Sequence, residues 1–289
     1  MGYGKGLVEN MCKVSVLTPL YNTDPVQLRE MIDSVLAQTY KDFELLLLND
    51  SPDNRVLDEI IRGYSDSRIR YLRNERNLGI SKSRNILIKE ARGEYLAVCD
   101  HDDISLQNRF EKEVAFLDSH PEVGVVSGLC EVFGGGEHSF KSHPEHSFDI
   151  KLHLMRDCYL AHPAAMIRKS VLIENNIFYN EFYSPAEDYK LWADLLPLTE
   201  FYNIQETLIR YRSFEENTSV TQKQKMEEAS RKIQLDLRNR FPAHFSELLK
   251  MESVKIKSYK LFGIIPLVTV YSDKICLFDI PIITVKNKL

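Results

Sequence analysis

Apolar runs that each stop at a polar cluster, separated by segments of helical period, constrain this chain more than any other feature. Residues 13–20 (KVSVLTPL), 43–48 (FELLLL) and 95–99 (YLAVC) read as strands buried on both faces. After the first, Asp24 is a good helix N-cap and Pro25 suits the first helical position. Leu28, Met31, Ile32, Val35 and Leu36 then recur at helical spacing, which predicts an amphipathic helix over 25–38. Further helices are predicted over 54–64, over 81–91 with Ser81 as its cap and Gly93 marking its end, and over 106–119. A short strand at 69–73 ends at Asn74. Strands alternating with helices through short loops imply an α/β fold, a mostly parallel sheet flanked by helices. Ligands of such sheets bind beyond the carboxyl ends of the strands. The clusters at 18–21, 49–53 and 100–103 all fall there.

Past a strand at 123–127 the pattern becomes irregular. Gly134, Gly135 and Gly136, with residues 137–147, read as an exposed loop. Residues 163–168 read as a strand, 169–175 as a short helix, a helix from about Pro185 carries Asp188, Leu191 and Trp192, and 209–211 is a short strand. Residues 221–250 form a charged helical region broken near Pro242. In the tail, KLFGIIPLVTV (260–270) is echoed by CLFDIPIITV (276–285), which suggests a β-hairpin or small meander about the turn at 271–274. The chain divides on this reading into a catalytic domain at 12–215, a helical extension at 216–250 and a repeat tail at 251–289.

Composition narrows the class. The 289 residues carry 37 Lys+Arg against 42 Asp+Glu, a net charge of −5, with 44% hydrophobic and 27% charged residues. Those values exclude a disordered or fibrous chain, and the mild acidity argues against broad nucleic-acid binding. Cys12, Cys99, Cys130, Cys158 and Cys276 are odd in number and form no CxxC pair, so neither a disulfide framework nor a zinc site is expected. A reducing compartment is the plain reading. The N-terminal residues hold no apolar run fit for a signal peptide, and no run approaches the roughly 18 residues of a membrane span.

The chemistry-bearing residues lie in the clusters. Asp100-His101-Asp102-Asp103 at a strand's carboxyl end suits a hard divalent cation shared with a phosphate. A single Asp would explain a helix cap, but three acids within four residues repel one another. Asp50 could bond a base or ribose, or serve its Asn-Asp-Ser-Pro turn. Asn77, Gly79, Lys82 and Arg84, at a helix start, could attract phosphate or form a solvated basic face. Asp188, in an apolar and aromatic stretch, could be a general base if its proton affinity is raised, or a first-turn acid favoured by the helix dipole. His162 could hold a metal, touch an acceptor or be a satisfied core histidine. His138, His143 and His146 read as solvated loop residues rather than a metal cluster.

Together the segments resemble the family 2 glycosyltransferases of the GT-A fold. The matching pieces are VSVLTPLYN (14–22), SVLAQTYKDFELLLLNDSPD (34–53), RNERNLGISKSRN (73–85), GEYLAVCDHDD (93–103), HPAAMIRKSVL (162–172) and AEDYKLWADLL (186–196). Six motifs in order over some two hundred residues make the resemblance specific. The tail resembles a short LFGIPL repeat that follows such domains in bacterial surface-polysaccharide enzymes.

The resemblance implies a Rossmann-like nucleotide-diphospho-sugar transferase fold. It also implies inverting, metal-dependent transfer of a sugar from a nucleotide donor, with UDP the commonest, to a glycan or lipid-linked hydroxyl in lipopolysaccharide, capsule or similar surface-polysaccharide synthesis. On that pattern Pro19 and Tyr21 flank the nucleobase with Thr18 nearby, and Asp50 bonds the base. Asn77, Arg84 and His101 belong to the donor site. Asp100 contacts the ribose, and Asp102 holds Mn2+ or Mg2+, with Asp100 and His162 as further candidate ligands. Asp188 is the general base. The family often shows two acids where this chain has Asn49-Asp50. The cysteine usage and the lack of a signal-peptide run lead to an expected cytoplasmic location, and the tail lysines (Lys255, Lys257, Lys260, Lys274, Lys286, Lys288) could rest on the anionic inner face of the plasma membrane or serve a partner. A β-appendage packed on the catalytic domain is the other reading of the tail. A nucleotidylyltransferase is the rival enzyme class, but TPLYNTD lacks the glycine-rich basic loop such enzymes carry. A non-catalytic sugar-nucleotide-binding module is the other rival, and the presence of both Asp102 and Asp188 argues against it.

Overall fold

The computed structural model describes residues 12–214, 217–253, 257–261, 265–270, 274–277 and 280–284. Two compact units divide at Gln234/Leu235. The first begins with β1 (Val14–Leu20), α1 (Pro25–Leu36), β2 (Phe43–Asn49), α2 (Arg55–Arg62), β3 (Ile69–Arg73), α3 (Ile80–Glu90) and β4 (Tyr95–Val98). Every residue of β1, β2 and β4 is buried, as expected of strands sandwiched between helix layers. α1 starts as its sequence dictates. Asp24 Oδ1 accepts the Val26 and Gln27 amides at 2.8 and 3.1 Å, and Leu28, Met31, Ile32 and Val35 are buried.

β1 pairs in parallel with β2 and β4, and β2 with β3. Beyond β4 the sheet changes character. The remaining elements are β5 (Ile104–Ser105), α4 (Arg109–Ser119), β6 (Val123–Gly134), β7 (Glu137–Lys141), α5 (Ser147–Leu154), β8 (Met166–Arg168), α6 (Lys169–Glu174), α7 (Glu187–Leu195) and β9 (Glu200–Arg212). The strand order is β3-β2-β1-β4-β8-β6-β9-β5, with β7 on β6. β8 runs antiparallel to both β4 and β6, β5 is antiparallel to β9, and β6 and β9 are parallel. The parallel pairing predicted for the sheet therefore belongs chiefly to its first half. At the junction Arg109, with 0% exposure, donates to the Val98 and Ala165 carbonyls at 2.9 and 3.2 Å and pairs with the equally buried Glu113. That bond set fixes the end of β4 against the approach to β8.

Three local expectations are corrected. The loop predicted at 137–147 is mostly ordered, because Gly134, Gly135 and Gly136 adopt φ of 94°, 54° and 80° and turn β6 back into β7, and α5 starts at Ser147. Ser81 does not cap α3. Gly79, at φ 83°, is the capping position, and Ser81 lies buried in the first turn. Gly93 does not end α3, which stops at Glu90. A Cβ at Gly93 would sit 2.5 Å from the Ser15 amide nitrogen, so glycine is required there for the chain to pass β1. The strands at 123–127 and 209–211 are the visible portions of the longer β6 and β9.

After α8 (Thr218–Thr221), α9 (Lys223–Arg240) spans the division between the units. The second unit continues with α10 (Pro242–Ser253), which Pro242 opens, and with β10 (Lys257–Leu261), β11 (Ile265–Val270), β12 (Lys274–Leu277) and β13 (Ile280–Thr284). These four strands form an antiparallel meander in chain order. The turn at 271–273, Phe262, Phe278 and the lysines at 255, 286 and 288 lie outside the described residues. Among the described residues no helix is long and apolar enough to cross a membrane.

Candidate active site

Parallel register brings the polar clusters to one sheet edge. Leu20 lies opposite Asn49, and Leu17 opposite Val98. Asp50 donates its amide to the Leu20 carbonyl at 2.8 Å. Asn49, fully buried, is used by the frame itself: its Nδ2 donates to Tyr71 Oη at 2.9 Å and its Oδ1 accepts the Ser51 amide at 2.8 Å. Asp50, 3% exposed, accepts from Asn74 Nδ2 at 2.7 Å and from the amides of Leu78 and Gly79 at 2.8 and 2.9 Å. Asn77 Oδ1 also accepts the Gly79 amide, at 2.8 Å. Both residues thus shape the loop that delivers α3, a role that sequence offered for Asp50 only as turn chemistry. Thr18 and Pro19 are buried, and the Tyr21 ring at the rim is 52% exposed.

α3 carries Arg84 into the site. Its guanidinium donates to Asp100 Oδ1 at 2.9 Å and to Glu187 Oε1 at 2.8 Å, and it lies over the Tyr179 ring with its Cζ 5.4 Å from the centroid. The end of β4 and the start of α7 are therefore tied through one buried cation. Lys82 does not join them and pairs with Glu181 at 2.6 Å. Tyr179 closes the same corner. Its hydroxyl is 2.8 Å from His162 Nε2, and its backbone N–H and C=O bind the Asn85 amide group at 2.9 and 2.8 Å. His162 is 5% exposed, and burial, then Arg84, drives its pKa down to about 3. It is a neutral core histidine with Nε2 engaged, and in this arrangement that nitrogen is not open to a cation.

Electrostatics separates the acids. Burial would raise the Asp100 carboxyl, but the Arg84 guanidinium holds it below the usual range. Asp102 is held above it by burial and by Asp100, and Asp103 well above it by burial and by both neighbours. Arg212 fixes this acidic turn from the far end of β9, with its amide donating to Asp103 Oδ1 at 2.8 Å and its Nε to the Asp102 carbonyl at 2.8 Å. Asp188 follows Glu187 in the first turn of α7 and accepts the Tyr189 amide at 2.7 Å. Part of its surface reaches solvent, yet burial of the carboxyl, with Glu187 beside it, raises its pKa to about 6. That value suits a base working near neutral pH.

Several buried polar atoms at this edge lack a protein partner: Thr18 Oγ1, Ser81 Oγ, Arg84 Nε, His101 Nδ1, Asp103 Oδ2 and Glu187 Oε2. Buried polar groups are normally satisfied, so this concentration marks where a polar ligand or water completes the bonding. Among the described residues no three His, Cys, Asp or Glu side chains gather closely enough to hold a metal alone. A cation of the Mg2+ or Mn2+ type needs only one or two protein carboxylates when phosphate oxygens and water supply the rest. Asp102, with the Asp100 charge near enough to raise its pKa, fits that partial ligand set. His138, His143 and His146 form no metal group. His138 pairs with Glu131 at 3.2 Å.

Sequence reasoning placed Asp103 in the acid cluster and Glu187 beside Asp188 at the helix start, but passed over Tyr179 and Arg212. No local signal marks Tyr179 or Arg212, because their partners lie 94 and 109 positions away.

Comparison with known proteins shows the family and the fold. The model of the family described as Glycosyl transferase family 2 matches residues 15–175. An uncharacterized glycosyltransferase of Methanocaldococcus jannaschii is 32% identical over 69% of this chain and 70% of its own length. The amylovoran biosynthesis glycosyltransferase AmsE of Erwinia amylovora is 29% identical over 69% of this chain and 76% of its own. The structure of S. aureus TarS 1-349 in complex with UDP-GlcNAc superposes with a TM-score of 0.65 at 20% identity, over 82% of this chain and 71% of that one. It shares the GT-A fold.

Proposed function

This chain belongs to glycosyl transferase family 2, and we propose that it moves a sugar from a UDP-sugar to a glycan or lipid-linked hydroxyl with inversion, in surface-polysaccharide synthesis. The observation that carries the reading is the Arg84 bridge, which joins the acids after β4 to the helix turn bearing Asp188. Support for the donor class comes from the fold shared with TarS, whose structure holds UDP-GlcNAc, and for the pathway class from AmsE, named for amylovoran biosynthesis.

In this reading the nucleoside lies at the ends of β1 and β2, against Thr18, Pro19 and the exposed Tyr21 ring, on a floor braced by Asp50 and Asn77. Asp100 and His101 face the ribose and diphosphate, and Arg84 gives that corner its positive charge. Asp102, assisted by Asp100, would hold a divalent cation, which as a Lewis acid stabilises charge on the departing diphosphate. Asp188 Oδ takes the proton of the acceptor hydroxyl as that oxygen attacks the anomeric carbon from the face opposite the leaving group. One displacement of this kind inverts configuration and needs no protein nucleophile.

The test is release of UDP from a panel of UDP-sugars, with and without manganese, by the parent and by Asp188→Asn. Manganese-dependent release that Asp188→Asn loses supports the reading, whereas equal turnover by the two proteins removes Asp188 as the base. Cytoplasmic residence, with the tail resting on an anionic membrane face, belongs to the same proposal, and flotation of full-length and tail-truncated protein with liposomes tests it.

A further inference from the structure

A concavity opens at Tyr179, between the start of α3 and residues 176–182. It has a volume of about 360 Å3, and its walls include Lys82, Asn176, Phe178, Glu181, Phe182 and Asp194. Resting on the function proposed above, we infer that this pocket is a glycan subsite that holds a neutral saccharide unit of the acceptor, with Phe182 as its stacking platform.

Phe182 is 88% exposed. A bare aromatic ring at a pocket wall gains free energy when a ligand's apolar face covers it. Beside it Lys82 and Glu181 pair at 2.6 Å with side chains 50% and 49% exposed. That pair offers a donor and an acceptor side by side with no net charge. Asp194 is already paired with Lys190. An anion or an anionic lipid surface would need a basic excess, which this wall lacks. A sugar matches what is present, since its apolar ring face covers an aromatic and its hydroxyls both donate and accept.

The pocket and the catalytic corner share one residue. Tyr179 is a wall of both, with its ring against Arg84 and its hydroxyl on His162. The turn Glu181–Tyr183 leads in six residues from Phe182 to Asp188. A glycan lying on Phe182 is thereby held beside the segment that carries the base.

Saturation-transfer NMR on the full chain tests this, with methyl β-glucoside, methyl β-galactoside, cellobiose and lactose as probes and a parallel sample saturated with UDP. Transfer to the ring protons of at least one probe is expected, unaltered by UDP. Affinity should fall about tenfold in Phe182→Ala and be kept in Phe182→Trp. Because the side chain is exposed, neither change threatens folding, and Glu181→Gln offers a second variant that should also weaken binding. No transfer from any probe, transfer that Phe182→Ala leaves intact, or transfer that UDP abolishes would overturn the inference. Phe182-dependent sedimentation with phosphatidylglycerol-containing vesicles would overturn it in favour of a lipid surface. Failure of the parent to bind UDP would count against the donor site alone, because the saccharide arm decides the pocket independently.

Discussion

Arg84 donates to Glu187 at 2.8 Å across 103 positions of chain, and both side chains are 8% exposed. Breaking a buried pair from one side leaves an uncompensated charge, at a cost of about 3–5 kcal/mol. Arg84→Met should therefore destabilise the protein by about that amount. Adding Glu187→Gln should recover part of it, because the Glu187 charge is then gone while Asp100 still lacks its partner, and sugar transfer stays lost. Urea unfolding of the two singles and the double measures the coupling. Additive losses would show that the pair carries no interaction energy.

Asp188 sets stability against activity. Its carboxyl is held at about 6 against an ordinary 3.8. A native state that keeps a proton more tightly than the unfolded chain is most stable below the lower value and loses that stability as pH rises to the upper. The loss is about 1–3 kcal/mol. Asp188→Asn should thus be more stable than the parent at about pH 7.5 and equal to it below about pH 3.8. Transfer should fall about 10²–10⁴-fold with UDP affinity largely kept. In the parent, kcat/KM should rise with pH through about 6. Thermal melts at the two pH values and a pH–rate profile check both parts.

Asp102→Ala should abolish the manganese dependence of donor binding. Titration calorimetry with UDP, with and without Mn2+, reads this directly. The parent should bind more tightly with the metal and the variant should not distinguish the two conditions. Unchanged enhancement by Mn2+ would remove Asp102 from the ligand set.

Two glycines should respond differently to alanine. At Gly93 the new Cβ would meet the Ser15 backbone nitrogen at 2.5 Å and Val14 C at 2.7 Å. Backbone cannot swing aside, so β1 must shift, and a loss of about 3 kcal/mol or a failure to fold is expected. At Gly79 a Cβ meets nothing within 4 Å, and only the φ of 83° opposes it. The cost there should be about 1–3 kcal/mol, with weaker UDP binding because the amide that Asp50 accepts is displaced. Denaturation midpoints and calorimetry separate the two.

What the sequence determined was local. The burial of β1 and β2, the Asp24 cap on α1 and the gathering of polar clusters at one sheet edge follow from hydrophobic period, cap chemistry and the geometry of parallel pairing, each set within a few residues. The acid turn after β4 and the acidic start of α7 were legible as separate features for the same reason. Tertiary structure decided how they combine. No spacing rule places Arg84 between Asp100 and Glu187, sends Arg212 to the acidic turn, or spends His162 on Tyr179, because those contacts link segments brought together only when β8 and β9 add to the sheet. Even the capping position fell at Gly79 rather than Ser81, with the Gly79 amide donating to the Asp50 carboxylate. Desolvation is likewise a property of the assembled core, and with Glu187 beside it, it lifts the Asp188 carboxyl to about 6.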